Sequence, residues 1–281
     1  MTHDPDVFSA FEGIVPGEER STSSGRLAAA WPAVLAFLAV LVVWEGLTRA
    51  LSVQQFILPK PSEIVRSFFA TSGIIWGAGL RTLQEAIGGL FVGVVSGVAM
   101  ALVTTRWIGL RSGLMPFAIA ANSVPIVALA PIFNQWFSIT SPISKVAVVA
   151  VVVFFPVMIN TARGLLEVDD SEIELMRSFA ASPRTVMLRI RIPRALPYFF
   201  SALKVASALS LIAAIVSEYF GGPQDVLGQY IVNRAQLFQF ADAWAAIAVA
   251  SILGIAMYGA ILVLERVAMP WHVSFREPQS S

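Results

Sequence analysis

The chain has 281 residues, 57% of them hydrophobic, 13% charged, with no cysteine and a net charge of +1. A soluble domain carries about 25% charged residues, so a soluble globule and a disordered chain are both excluded, and the near-zero net charge argues against nucleic acid as a partner. Absence of cysteine removes disulfide frameworks, thiolate metal sites and cysteine nucleophiles, which leaves a polytopic all-α membrane protein with room for five to seven spans of about 20 residues each.

Residues 1–27 are polar and mixed in charge, and are expected to form a polar cytoplasmic tail rather than a signal peptide, whose leading region would be short and basic. A membrane domain is then expected over 28–271, with a second polar tail at 272–281. The first apolar run is 30–51, broken only by Glu45 and Arg49. Pro59-Lys60-Pro61-Ser62 marks a break followed by a short helix. The second run, 83–104, carries Gly89, Gly93 and Gly97 at four-residue spacing. One face is therefore small, which permits close helix–helix approach in lipid. The third run, 114–137, contains Pro116, Pro125 and Pro131; the fourth, 145–161, ends near Asn160. A charged stretch at 162–199 precedes the fifth run, 200–220, and the sixth, 243–264.

Six spans put both termini on one side. With that side cytoplasmic, twelve arginines fall in the inner segments and five Lys or Arg residues, Lys145 among them, in the outer loops, as the positive-inside bias requires.

Catalytic constellations are missing. Lys60, Lys145 and Lys204 are followed by Pro, Val and Val, so none closes a Walker-type phosphate loop. His3 and His272 stand alone near the termini, and no G-x-S-x-G elbow is present. No catalytic residue, metal ligand or cofactor site is expected on this chain.

The loop 162–199 holds six of the nineteen Lys and Arg residues and five of the eighteen Asp and Glu residues. Ser171 and Glu174 have capping-box spacing, which predicts a helix from Glu172 to about Phe179. Ser182-Pro183 reads as an N-cap with proline at the first helical position, predicting a second helix that runs to about Arg191 and stops before Pro193. Ile173, Met176, Phe179 and Ala180 give the pair an apolar face, suited either to the membrane interface or to a partner subunit.

This stretch resembles the signature of ABC importer permeases, written E-A-A-x-x-x-G, nine residues, then I-x-L-P. Glu174-Leu175-Met176 stand at E-A-A, Ala180 at the glycine, and Ile190-Arg191-Ile192-Pro193 at I-x-L-P, with residues 181–189 between. Pro59 to Ser62, Thr82-Leu83, Phe154 to Thr161, Glu218 with Gly221-Gly222, Leu264 to Arg266 and Pro270-Trp271 are similar to the nitrate/sulfonate/taurine-type branch. The resemblance implies a helix seated in a groove of an ATPase subunit, with Glu174, Leu175, Met176, Arg177, Phe179, Ala180 and Pro193 at or near that contact. It further implies ATP hydrolysis on the partner, a second permease copy, an extracytoplasmic substrate-binding protein and an inner-membrane location. Ala180 departs from the pattern: a left-handed residue there costs an L-amino acid about 1–2 kcal/mol.

Polar groups inside spans are expensive and default to a functional reading. Glu45, Asn122, Ser123, Asn134, Ser210, Ser217 and Glu218 are the candidates for the substrate path, with helix–helix hydrogen bonding as the alternative. Lys204 is expected to snorkel to the membrane boundary. The expected solute is a vitamin-like or pyrimidine-type heteroaromatic, or a sulfonate. A stand-alone secondary transporter or channel is the competing reading, and it has no use for the cytoplasmic helix pair.

Overall fold

The computed structural model describes residues 23–121, 125 and 128–271. Asn122, Ser123, both histidines and the tail at 272–281 lie outside the described residues. The described chain is helical, with no strand among its residues. It divides into two compact units, residues 1–53 and 54–281.

The first unit is a single helix, α1 (Ser23–Ala50), so helix takes in the last residues of the segment expected as a tail. In the second unit, α2 (Pro61–Ala70) begins after the Pro-Lys-Pro break, with Pro61 in its first turn and Glu63 accepting from the Lys60 backbone N–H. α3 (Ser72–Arg106) and α6 (Pro142–Leu166) are long and apolar; α6 starts at Ser141, whose hydroxyl accepts from the Ile143 N–H. α9 (Ile192–Tyr219) and α11 (Phe240–Ala268) complete the long helices, with the short α10 (Leu227–Gln236) between them.

Among the described residues, five helical segments are long and apolar enough to cross a membrane: 31–50, 72–106, 142–166, 183–219 and 240–268. The run expected as a third span is instead two helices, α4 (Ile108–Ala121) and α5 (Leu129–Phe137). Each falls short of the ~20 residues a span requires. Asn160 does not end the fourth span: its side-chain amide donates to the Pro156 carbonyl and α6 continues to Leu166.

α3 and α6 form the centre of the second unit. The small stripe works as its spacing predicts. A Cβ on Gly93 would lie 2.7 Å from the Ala150 carbonyl oxygen, and one on Gly97 2.9 Å from that of Phe154. Only glycine lets the backbones approach this closely. Val149, Val153 and Val157 of α6 fill the seam, and Ala206, Ala214 and Ala246 of α9 and α11 pack against the same core. Lys204 is paired rather than snorkelling: its ammonium donates to both carboxylate oxygens of Glu265 at 3.0 Å, joining α9 to α11.

Candidate functional site: a loop helix and an ion cluster at opposite ends

The charged loop folds into α7 (Asp170–Ser178), α8 (Pro183–Val186) and a π-helical turn, Met187–Arg191, that runs straight into α9. α7 starts two residues earlier than expected. Asp169 is its N-cap, and Glu172 and Ile173 donate their N–H groups to the Asp169 carbonyl. Ser171 is therefore inside the helix, and Glu174 makes no capping bond. The acidic first turn, Asp170 and Glu172, still matches the positive end of the helix dipole.

The end of α7 is a Schellman turn. Ala180 has φ +51°; its N–H reaches the Arg177 carbonyl at 2.9 Å, and the Ala181 N–H reaches that of Met176 at 3.0 Å. These are the two bonds of that motif, so the left-handed conformation is retained without glycine. Ser182 then caps α8 as expected, its hydroxyl accepting from the Thr185 N–H at 3.2 Å.

Pro193 does not stop the chain. A proline has no N–H and crowds the carbonyl four residues back. The extra residue in the π turn accommodates this, and the Ile192 N–H bonds the Met187 carbonyl five residues back. The second loop helix and the fifth span are consequently one continuous rod, 183–219.

An ion pair between Glu172 and Arg194 fastens α7 to the start of α9. Phe179 is 75% exposed and Leu175 58% exposed, both without a partner in this chain's core. Leu175, Met176 and Pro193 line a cavity of about 420 Å³ together with Arg189, Arg194 and Trp271. Six of the seven residues assigned to partner contact thus share one short helix and its closing turn, and Pro193 joins them across this cavity.

The far ends of α3, α6 and α9 hold a buried polar cluster. Lys145 and Glu218 have no exposed surface, and Glu85 is buried beside them. The Lys145 ammonium donates to Asn134 Oδ1 at 3.0 Å, to the Ser144 hydroxyl and to the Ile139 carbonyl. Glu85 and Glu218 adjoin each other, with Lys145 as the neighbouring cation. Glu218 accepts from the Gly228 N–H at 2.6 Å, and Thr82 accepts from the Leu227 N–H at 3.0 Å. The two side chains cap α10 in this way. Gly221, at φ +135°, turns the chain between α9 and α10, where any side chain would collide with Ile139.

Of the substrate-path candidates, Asn134 and Glu218 are drawn together in this cluster. Ser210 and Ser217 are buried and donate to carbonyls of their own helix, those of Ser207 and Ala214. Glu45 lies in α1, ion-paired with Arg49. Sequence reasoning missed Glu85 and the role of Lys145. The available signal was Lys145 only three residues after the Pro142 helix start, followed by an unbroken apolar run.

A family model described as the binding-protein-dependent transport system inner membrane component matches residues 89–268. The formylaminopyrimidine transport permease protein ThiX of Halalkalibacterium halodurans is 32% identical over 84% of this chain and 94% of its own length. The riboflavin transport system permease protein RibX of Chloroflexus aurantiacus is 29% identical over 87% of this chain and 92% of its own. A putative aliphatic sulfonates transport permease protein, SsuC of Bacillus subtilis, is 26% identical over 89% and 91%. Among solved structures, an amino acid ABC transporter determined with histidines superposes with a TM-score of 0.57 at 16% identity, covering 72% of this chain and 97% of that one. The inward-facing MetNI methionine ABC transporter gives 0.54 at 16% identity, covering 69% and 93%. These two likenesses establish a shared fold.

Proposed function

Because this chain belongs to the family of binding-protein-dependent transport system inner membrane components, the non-enzymatic permease subunits of ABC importers, we propose that α7 and its closing turn transmit an ATPase subunit's movement to the spans. The observation that carries this reading is the loop itself. Two large apolar side chains, Leu175 and Phe179, are presented to water on a helix locked by the Schellman turn and tied to α9 through Glu172 and Arg194. An exposed aromatic on a rigid helix is suited to anchor in a partner's pocket.

In this scheme α4 and α5 together make a sixth crossing, and both termini and the α7 loop face the cytoplasm. Two copies of the chain pair, ATP is consumed by the partner, and a binding protein delivers solute at the α10 end. Glu218, Asn134, Lys145 and Glu85 hold that end together, and Asn134 and Glu218 border the solute's route. The solute is a neutral or weakly charged heteroaromatic of the pyrimidine type. Supporting this are the substrates named for the relatives at 32% and 29% identity, and the engagement of the buried cation, Lys145, with protein groups.

The test is reconstitution. Vesicles holding the permease with its ATPase subunit and binding protein are expected to take up a labelled pyrimidine only when ATP is supplied inside. Uptake that continues without ATP, or a permease that never retains an ATPase in detergent, supports the stand-alone carrier instead. Identifying the solute that co-purifies with the binding protein decides between a heteroaromatic and a sulfonate.

A further inference from the structure

A cavity of about 610 Å³ lies on the other side of α7 from Leu175 and Met176. Four arginines line it: Arg106 from the last turn of α3, Arg177 from α7, Arg184 from α8 and Arg191 from the π turn. No acidic residue lines it. None of the four guanidiniums makes an ion pair or side-chain hydrogen bond among the described residues, whereas Arg163 and Arg194 nearby are paired with Glu167 and Glu172. Its remaining lining is largely apolar, including Ile173, Val186 and Leu188. Four unneutralised cations around one concave apolar space repel one another, so the arrangement is complementary to an anion that also carries hydrocarbon.

The cavity's height in the molecule narrows the choice. Arg106 and Thr105 end the α3 span, and the next residue, Trp107, is exposed. Tryptophan at a span end sits at the headgroup level. Guanidinium forks match phosphate oxygens in pairs, and basic pockets at the ends of spans are known to hold anionic headgroups. Leu175 and Phe179, the side chains offered to a partner protein, do not line this space.

We propose that this cavity binds the phosphodiester headgroup of an anionic phospholipid, with the four arginines on the phosphate and the glycerol and upper acyl carbons on Ile173, Val186 and Leu188. The proposal rests on the chain being a membrane permease; of the seven residues assigned to the ATPase contact, Arg177 alone lines this cavity.

Native mass spectrometry of the full-length protein, with phosphatidylglycerol or phosphatidylcholine added to the detergent, tests it. The wild type is expected to retain phosphatidylglycerol preferentially. The double variant Arg106→Gln/Arg191→Gln is expected to lose roughly five-fold in that retention for each guanidinium removed. Arg184→Gln, at an exposed position, serves if the double variant folds poorly. Equal retention of the two lipids by the wild type overturns the proposal, as does an unchanged preference in the variants. Displacement of the lipid by inorganic phosphate alone assigns the cavity to a free anion and overturns it too. A variant that keeps its lipid preference but sheds the ATPase subunit assigns the arginines to that partner, with the same consequence. A wild type that prefers phosphatidylglycerol yet never binds an ATPase supports the lipid site while sinking the transport scheme, so the two failures are distinct.

Discussion

Glu172, in the first turn of α7, is ion-paired with Arg194, in the first turn of α9. Both side chains are partly exposed, and such pairs contribute only about 0–1 kcal/mol to stability. Their placement matters more, because the pair joins the loop helix to a membrane rod. Glu172→Gln is therefore expected to change the melting temperature little while lowering uptake several-fold at undiminished ATP hydrolysis. Parallel measurement of hydrolysis and uptake in proteoliposomes checks this; a proportional fall in both would place the pair elsewhere in the cycle.

Phe179→Asp is expected to abolish uptake with membrane insertion intact. Removing a buried aromatic anchor from an interface typically costs at least about 2 kcal/mol, or roughly thirty-fold in affinity. Pull-down of the ATPase subunit by the variant reads this directly, and normal uptake would count against the docking role.

At Ala180 the expectation runs the other way. The residue holds φ +51°, a conformation that costs an L-residue about 1–2 kcal/mol and glycine almost nothing. Ala180→Gly is expected to keep transport and raise stability by up to about 1 kcal/mol, with glycine's loss of chain entropy offsetting part of the gain. Ala180→Val is expected to destabilise the loop. Thermal unfolding of the two variants in detergent separates them; if glycine abolishes transport, the turn is not the one described.

The Ser182 cap and the glycine seam were legible because each depends on local spacing, whereas Ala180 in place of glycine left the closing turn of α7 open until its φ of +51° was seen. The α7 start was misplaced because the capping-box spacing pointed to Ser171, whereas the helix begins after Asp169 without a side-chain capping bond. Continuity through Pro193 was illegible, since the π turn that permits it leaves no compositional mark. The Glu85–Lys145–Glu218 cluster was missed for another reason. Its members are distant in sequence and meet only when three helices pack, so hydropathy alone leaves Lys145 in a loop.

That cluster supplies a further expectation. Lys145→Met leaves the buried acceptors Asn134 Oδ1, the Ser144 hydroxyl and the Ile139 carbonyl without their donor, and each buried polar group left unpaired costs about 1–3 kcal/mol. Folded yield and melting temperature are expected to fall sharply. Lys60→Met, which removes only a half-exposed pair with Glu63, is expected to change neither. Similar behaviour of the two variants would show that the cluster is not what holds this end together.

The α3–α6 seam gives the most local contrast. Gly93→Ile drives a side chain into Val153 and the Ala150 carbonyl and is expected to prevent folding. Gly77 has open space around it, so Gly77→Ala is expected to be neutral or to add up to about 1 kcal/mol through helix propensity. Expression and monodispersity on size exclusion report both.

The unbroken passage from α8 through the π turn to Tyr219 makes one rod of 37 residues, about 55 Å long at 1.5 Å per residue. In the coupling scheme proposed above it serves as a lever that crosses the membrane. A tilt of a few degrees imposed at its loop end displaces Glu218, and with it the cap of α10, by several ångströms at the opposite face. In that scheme one continuous helix links the two faces without a relay of side-chain rearrangements.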